Sequence, residues 1–170
     1  SESGPVLTGN HSMRDAAGAM NCAEPLEITE LSASTGFTDS GVVSDIRDLG
    51  RYAQALAAGA ILPEGVDRLD DPVAVADGAP SWYTTSGGVL QAGSLVGQYG
   101  SVPGYATAAF SDPGSGLTVA VVLNNSGGGG GFARDLAWEL AAIASKAPAT
   151  DGSTAPEAGL PWTAQQYHDQ

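Results

Sequence analysis

The 170 residues carry six basic and nineteen acidic side chains, a formal net charge of −13, and a sequence pI near 4.1. That length suits one domain or part of one, and an acidic balance without any basic stripe argues against nucleic acid as the main partner. With 42% hydrophobic and 15% charged residues the chain can build a core and lacks the composition of disordered proteins. No apolar run approaches the roughly 20 residues of a membrane-spanning helix, and Ser1–Asp15 show no charged segment followed by an apolar one, so neither a membrane span nor a secretory leader is legible.

Ser1–Thr35 keep no sustained period and read as irregular structure with room for one short helical piece. The lone Cys22 excludes an internal disulfide and a cysteine-based zinc site. A free buried thiol and a thiol paired with a cysteine outside this chain both stay open. From Ser44 the spacing turns helical. Ser44 can cap, Asp45 and Asp48 suit the first turn, Ile46, Leu49, Ala53 and Leu56 share a face, and Gly59 then Pro63 close the helix. Glu64–Pro80 is acidic, broken by Gly and Pro, and reads as an exposed connection. Its aspartates, Asp67, Asp70, Asp71 and Asp77, do not follow the spacing of an EF-hand loop, and neither a metal nor another cofactor is expected.

Beyond Pro80 the period shortens to two. Ser81–Leu90 and Ser94–Gly100 read as strands interrupted by a turn or bulge at Gly87 and Gly88. Ala106–Phe110 and Leu117–Leu123 flank Asp112–Gly116, a loop of turn-forming residues, and so predict a hairpin. The second arm, LTVAVVL, is apolar on both faces, which predicts a central strand covered on both sides. Gly127–Gly131 is not a phosphate loop, because Phe132 and Ala133 follow where Lys and Ser or Thr are needed; it reads as a flexible link. Phe132, Leu136, Leu140 and Ile143 form the stripe of a helix ending near Lys146, expected to pack on the sheet with Trp138 off the stripe at a rim. Ala147–Pro156 reads as a linker before a short amphipathic end with Trp162 and Tyr167. The predicted fold class is α+β: an antiparallel sheet packed against a C-terminal helix and preceded by a helical segment, with residues 1–146 as the domain and 147–170 as linker and tail. His11 and His168 fall in the poorly patterned ends and read as solvated, and no Gly-x-Ser-x-Gly elbow is present.

Two segments, GFTDSGVVSDIRDLGRYAQALAAG (Gly36–Gly59) and GQYGSVPGYATAAFSDPGSGLTVAVVLNN (Gly97–Asn125), agree in order and spacing with one family. The chain resembles the C-terminal part of class C-type serine β-lactamases and D-alanyl-D-alanine carboxypeptidases, penicillin-binding-protein-like hydrolases. The second segment matches their Gly-His-x-Gly-x-x-Pro-Gly-Tyr strand, hairpin and following strand ending in Asn. The resemblance implies an antiparallel sheet with terminal helices on one face, a helical region beside it, the active site at the seam, and a secreted or cell-envelope location. It implies a serine from a Ser-x-x-Lys box that attacks an ester or amide carbonyl, a lysine and a Tyr-x-Asn box that move protons, and backbone amides that hold the oxyanion. Gln98, Tyr99 and Gly100 occupy the third box of that pattern, and Ser101 offers one oxyanion N–H.

The chain departs from the pattern at the nucleophile. Its one lysine, Lys146, has Ile143 three residues before it, and no asparagine stands two residues after a Tyr or Ser, so both reactive boxes are absent. Gln98 also replaces the usual His or Lys and brings no positive charge to a substrate carboxylate. The expected partner is therefore an N-terminal half of the same domain, with a cell-wall peptide or an ester as substrate of the whole. The alternative is a non-catalytic binding or scaffold module for cell-wall peptides or a protein. A third reading is an unrelated acidic α+β domain whose patterns report core packing alone.

Overall fold

The structure is a computed structural model that describes residues 6–148 and 158–168. Its centre is a six-stranded antiparallel sheet whose strands lie side by side in chain order: β3 (Val73–Ala74), β4 (Tyr83–Ser86), β5 (Val89–Ala92), β6 (Leu95–Val102), β7 (Tyr105–Ser111) and β8 (Thr118–Leu123). Before it come a two-stranded ribbon, β1 (Asn10–His11) with β2 (Leu26–Glu27), a 3-10 turn at Ala33–Gly36, and helix α1 (Ile46–Ala57). After it come α2 (Gly129–Ala144) and the short α3 (Ala164–His168). The α+β class, the antiparallel sheet and its C-terminal helix follow the sequence pattern.

Helix α1 starts one residue later than Ser44 would set it. Asp45 is the cap, its carboxylate accepting the Arg47 and Asp48 N–H groups at 2.8 and 2.9 Å. Those bonds hold the Asp45 carboxyl below the ordinary carboxylate range. Ala53 and Leu56 are its buried residues, and Leu56 packs with Val89 and Val96 on one face of the sheet. On the opposite face Leu90, Ala92, Leu95, Ala106, Ala108, Phe110 and Val121 meet α2. The alternation along each strand thus divides the sheet between two helices.

Two expectations about this packing are corrected. Among the described residues β8 is an edge strand, with β7 as its one full-length neighbour; helices cover both of its faces, which accounts for the LTVAVVL pattern, and its outer side carries only the Asn10–Asn125 bridge beyond its end. The α2 stripe is also mostly reversed, Leu136 being the one of its four residues that packs against the core. Phe132, Leu140 and Ile143 are 56%, 41% and 54% exposed, whereas Ala133, Ala137 and Ala141 are fully buried. A ridge of alanines at i, i+4 spacing lets the helix axis approach the sheet more closely than large side chains allow. Trp138, expected at a rim, is 2% exposed. It packs edge-on against Trp82, Tyr83, Phe110 and Tyr167 and tilted against Trp162, whose indole N–H donates to the Trp138 carbonyl at 3.0 Å. The C-terminal segment 158–168 thereby joins the main core, while the linker placed at Ala147–Pro156 lies, from residue 149 on, outside the described residues.

The glycine run is not a flexible link either. Gly128 caps α2 and Gly129–Gly131 form its first turn, where a Cβ on Gly130 would sit 2.8 Å from the Gly100 carbonyl carbon. Only glycine lets this turn rest on β6. Cys22 is exposed, against the buried reading, and Val73–Ala74 of the acidic connection pairs with β4.

The predicted hairpin is β7–β8, and its loop is held by one carboxylate. Asp112, 4% exposed, accepts the Ser94 hydroxyl at 2.8 Å and the Gly114 and Ser115 N–H groups at 2.7 and 3.2 Å. Burial raises its pKa, but these hydrogen bonds outweigh burial and leave it lowered. A lowered folded pKa gives stability that is present above the unfolded carboxylate value, about 3.9, and lost as pH falls through the folded one. Urea midpoints measured from pH 6 downward are expected to fall below about pH 4, and less steeply in Asp112→Asn, which is also less stable at neutral pH.

Candidate functional site

Gln98–Ser101 lie on β6, and the unequal lengths of the strands decide their setting. β5 has four residues and β6 eight, so the β5 pairing runs from Ala92↔Leu95 to Leu90↔Gly97 and stops. Among the described residues, the strand from Gln98 to Val102 pairs with β7 alone, and its other side is a free edge. Backbone groups alternate sides along an antiparallel strand, and the tight turns that close at Ala92↔Leu95 and Val102↔Tyr105 set the phase. Gly100 and Val102 bond toward β7; Tyr99 and Ser101 turn their N–H and C=O groups to the free edge.

The side chains divide differently. Gln98 is exposed, and its amide bridges the end of the β4–β5 hairpin: Nε2 donates to the Gly88 carbonyl at 3.3 Å, and Oε1 accepts the Tyr99 N–H at 3.0 Å. The turn it grips, Gly87–Gly88, has φ of +53° and +79°, the paired left-handed conformation of a tight hairpin that side chains other than Gly, Asn and Asp resist. Tyr99 points the other way and is absorbed by packing. Its hydroxyl lies 3.4 Å from the Arg134 guanidinium, which stacks 5.1 Å over the Tyr99 ring and 5.0 Å over the Trp138 ring. Burial opposes the Arg134 charge, but the Asp135 carboxylate at 2.7 Å outweighs it and holds the pKa above the ordinary value. Burial raises the neighbouring Tyr83 phenol and pushes Tyr167 up to about 12. These groups form one partly buried aromatic–cation layer beneath the strand, in which Tyr99 serves packing. Ser101 is exposed, and Gly100, with the α2 turn on one side, is open on the side a Cβ would take, where nothing lies within 4 Å.

Three further residues carry contacts that local patterning does not show. His11 is half-buried rather than solvated, its Nδ1 2.7 Å from the Ser126 hydroxyl, which also accepts the Gly104 N–H at 3.0 Å. The pair ties β1 to the β6–β7 turn and to the segment entering α2. His168 lies 2.9 Å from Glu139. Arg68 lays its stem against the Gly87 turn and donates from Nη1 to the Gly87 carbonyl. Among the described residues no three His, Cys, Asp or Glu side chains converge as metal ligands, and no helix is long and apolar enough to cross a membrane. Comparison with protein-family models, with curated proteins and with solved structures returns no match.

Proposed function

We propose that this chain is the C-terminal portion of a β-lactamase- or carboxypeptidase-like serine hydrolase, acting on ester or amide substrates at the cell envelope or outside the cell. In this reading the nucleophile and its proton-transfer partners come from an N-terminal half of the same domain, and the chain alone is inactive. The observation that supports it best is the free edge of β6 at Gln98–Val102, which turns the Ser101 N–H outward at an exposed position. A preorganised backbone N–H at a strand edge stabilises a developing oxyanion without reorganising when the charge forms. The exposed apolar residues of α2, Phe132, Leu140 and Ile143, together with Phe37, Val42 and Val43 at 81%, 88% and 81% exposure, offer faces that a second half would cover. Exposing the isolated chain to a fluorophosphonate and to a β-lactam is expected to leave its intact mass unchanged. An adduct on this chain alone would overturn the reading.

One observation favours the alternative, a non-catalytic module for cell-wall peptides or a protein partner. The Gln98 amide is spent on Gly88 and on the Tyr99 N–H rather than presented to a substrate.

A further inference from the structure

A cavity of about 630 Å³ opens between the C-terminal end of α1, the acidic connection and the α1-facing side of β6. Leu56, Leu62, Leu69 and Val96 supply aliphatic wall, and the cation within it is Arg68. Arg68 is held in place by the Gly87 turn. Its Cγ and carbonyl press on the Gly87 turn so closely that a Cβ there would lie 2.5 Å from each, and Nη1 donates to the Gly87 carbonyl. It forms no ion pair among the described residues, and its Nε is buried without a hydrogen-bond partner. Two acids line the cavity with it: Glu64 is exposed, and Asp67 is exposed with its carboxylate accepting the Leu69 N–H at 2.8 Å. A guanidinium fixed against the Gly87 turn and set among aliphatic walls matches one ligand chemistry, a carboxylate on a small aliphatic body.

We propose that this cavity binds an aliphatic carboxylate, with Arg68 as its anion-recognising residue. The inference stands apart from the hydrolase reading, since binding is a property of this chain by itself. The cavity wall Val96 lies two residues before Gln98 on the same face of β6, about 7 Å away along a strand. Arg68 grips Gly87 while Gln98 grips Gly88, so the same tight turn holds both side chains. Under the hydrolase reading, Arg68 would therefore supply next to the candidate site the positive charge that Gln98 lacks.

The test is a titration of the ¹⁵N-labelled chain with hexanoate, hexanol, acetyl-leucine and acetyl-leucinamide, followed by amide and Arg Nε–H chemical shifts. Saturable shifts at Arg68 Nε–H, Gly87 and Val96 are expected with hexanoate and not with hexanol. A response to acetyl-leucine that is lost in its amide would add a peptide C-terminus as a source of the same carboxylate. Arg68→Gln is expected to weaken binding at least about tenfold, and Arg68→Lys, which keeps the charge but not the planar fork, by less. Leu62→Trp, which fills the cavity and leaves Arg68 in place, is expected to abolish the shifts and decides the matter if Arg68→Gln loses its dispersed spectrum. Equal responses to hexanoate and hexanol, unchanged affinity in a folded Arg68→Gln, unchanged affinity in Leu62→Trp, or no saturable shift with either acid would overturn the proposal.

Discussion

Replacing Gly97 by alanine is expected to cost more than about 3 kcal/mol, a large share of the roughly 5–15 kcal/mol that stabilises a domain. A Cβ at this position would sit 2.1 Å from the Ala109 carbonyl oxygen and 2.7 Å from both the Phe110 Cα and its ring. Two of these three neighbours are backbone of β7, paired to β6 along seven residue pairs, so relief requires the strands to part. Phe110 is fully buried at the same point and has nowhere to retreat. Alanine's gain over glycine in strand propensity, within a scale of about 1 kcal/mol, does not offset such a clash. Gly100→Ala, three residues further along the same strand and facing open space, is the internal control and is expected to stay within about 0.5 kcal/mol of wild type. Equal urea midpoints for the two variants would show that β6 and β7 do not approach as described.

Truncating Trp138 to alanine is expected to cost about 3–5 kcal/mol, the range for removing a large buried aromatic side chain. Five rings lean on this indole, at centroid distances from 5.1 Å to Trp162 up to 6.0 Å to Trp82, and Arg134 stacks on it. The cavity left behind would lie where the sheet, α2 and the 158–168 segment meet, so collapse around it is limited. Trp138→Phe is expected to be much milder, because the indole N–H is buried without an acceptor and its removal also removes an unsatisfied donor. The pair separates ring packing from polar cost: thermal unfolding should rank wild type and Phe close together and Ala far below. A small loss on truncation to alanine would mean that the aromatic layer is not the keystone of this core.

Where the determinants are local, the fold was legible in the sequence. The loop Asp112–Gly116 is made by one carboxylate and its next few N–H groups, and α1 by its own cap and face, so both follow from a few consecutive residues. β8 was misplaced because side-chain alternation reports what covers the two faces of a strand and carries no information about what pairs along its edges. The α2 stripe was mostly reversed, Leu136 excepted, because hydrophobicity ranks Phe132 and Leu140 above alanine, whereas close approach to a sheet selects the small residues Ala133, Ala137 and Ala141. Trp138 found its place through Trp162 and Tyr167, which follow it by more than twenty residues. At the candidate site, the resemblance singled out Gln98–Ser101, while the free edge arises from β5 ending early, a difference between two strands that no single segment contains. Arg68 had no local signal at all; its position depends on the Gly87 turn, nineteen residues away.

The free edge of β6 also supplies the sharpest test of the hydrolase reading. Proline at position 101 removes the outward N–H without removing a ladder bond to β7, and proline is tolerated on the unpaired side of an edge. In the product of the whole reading frame, with any segment that precedes this chain, the acylation rate of Ser101→Pro by a β-lactam or an activated ester is the decisive quantity. Slowing by about 10²–10³, with the circular dichroism of the wild type retained, is the expected result for the loss of one oxyanion donor. A rate equal to wild type, or no acylation of the wild-type product at all, would contradict it.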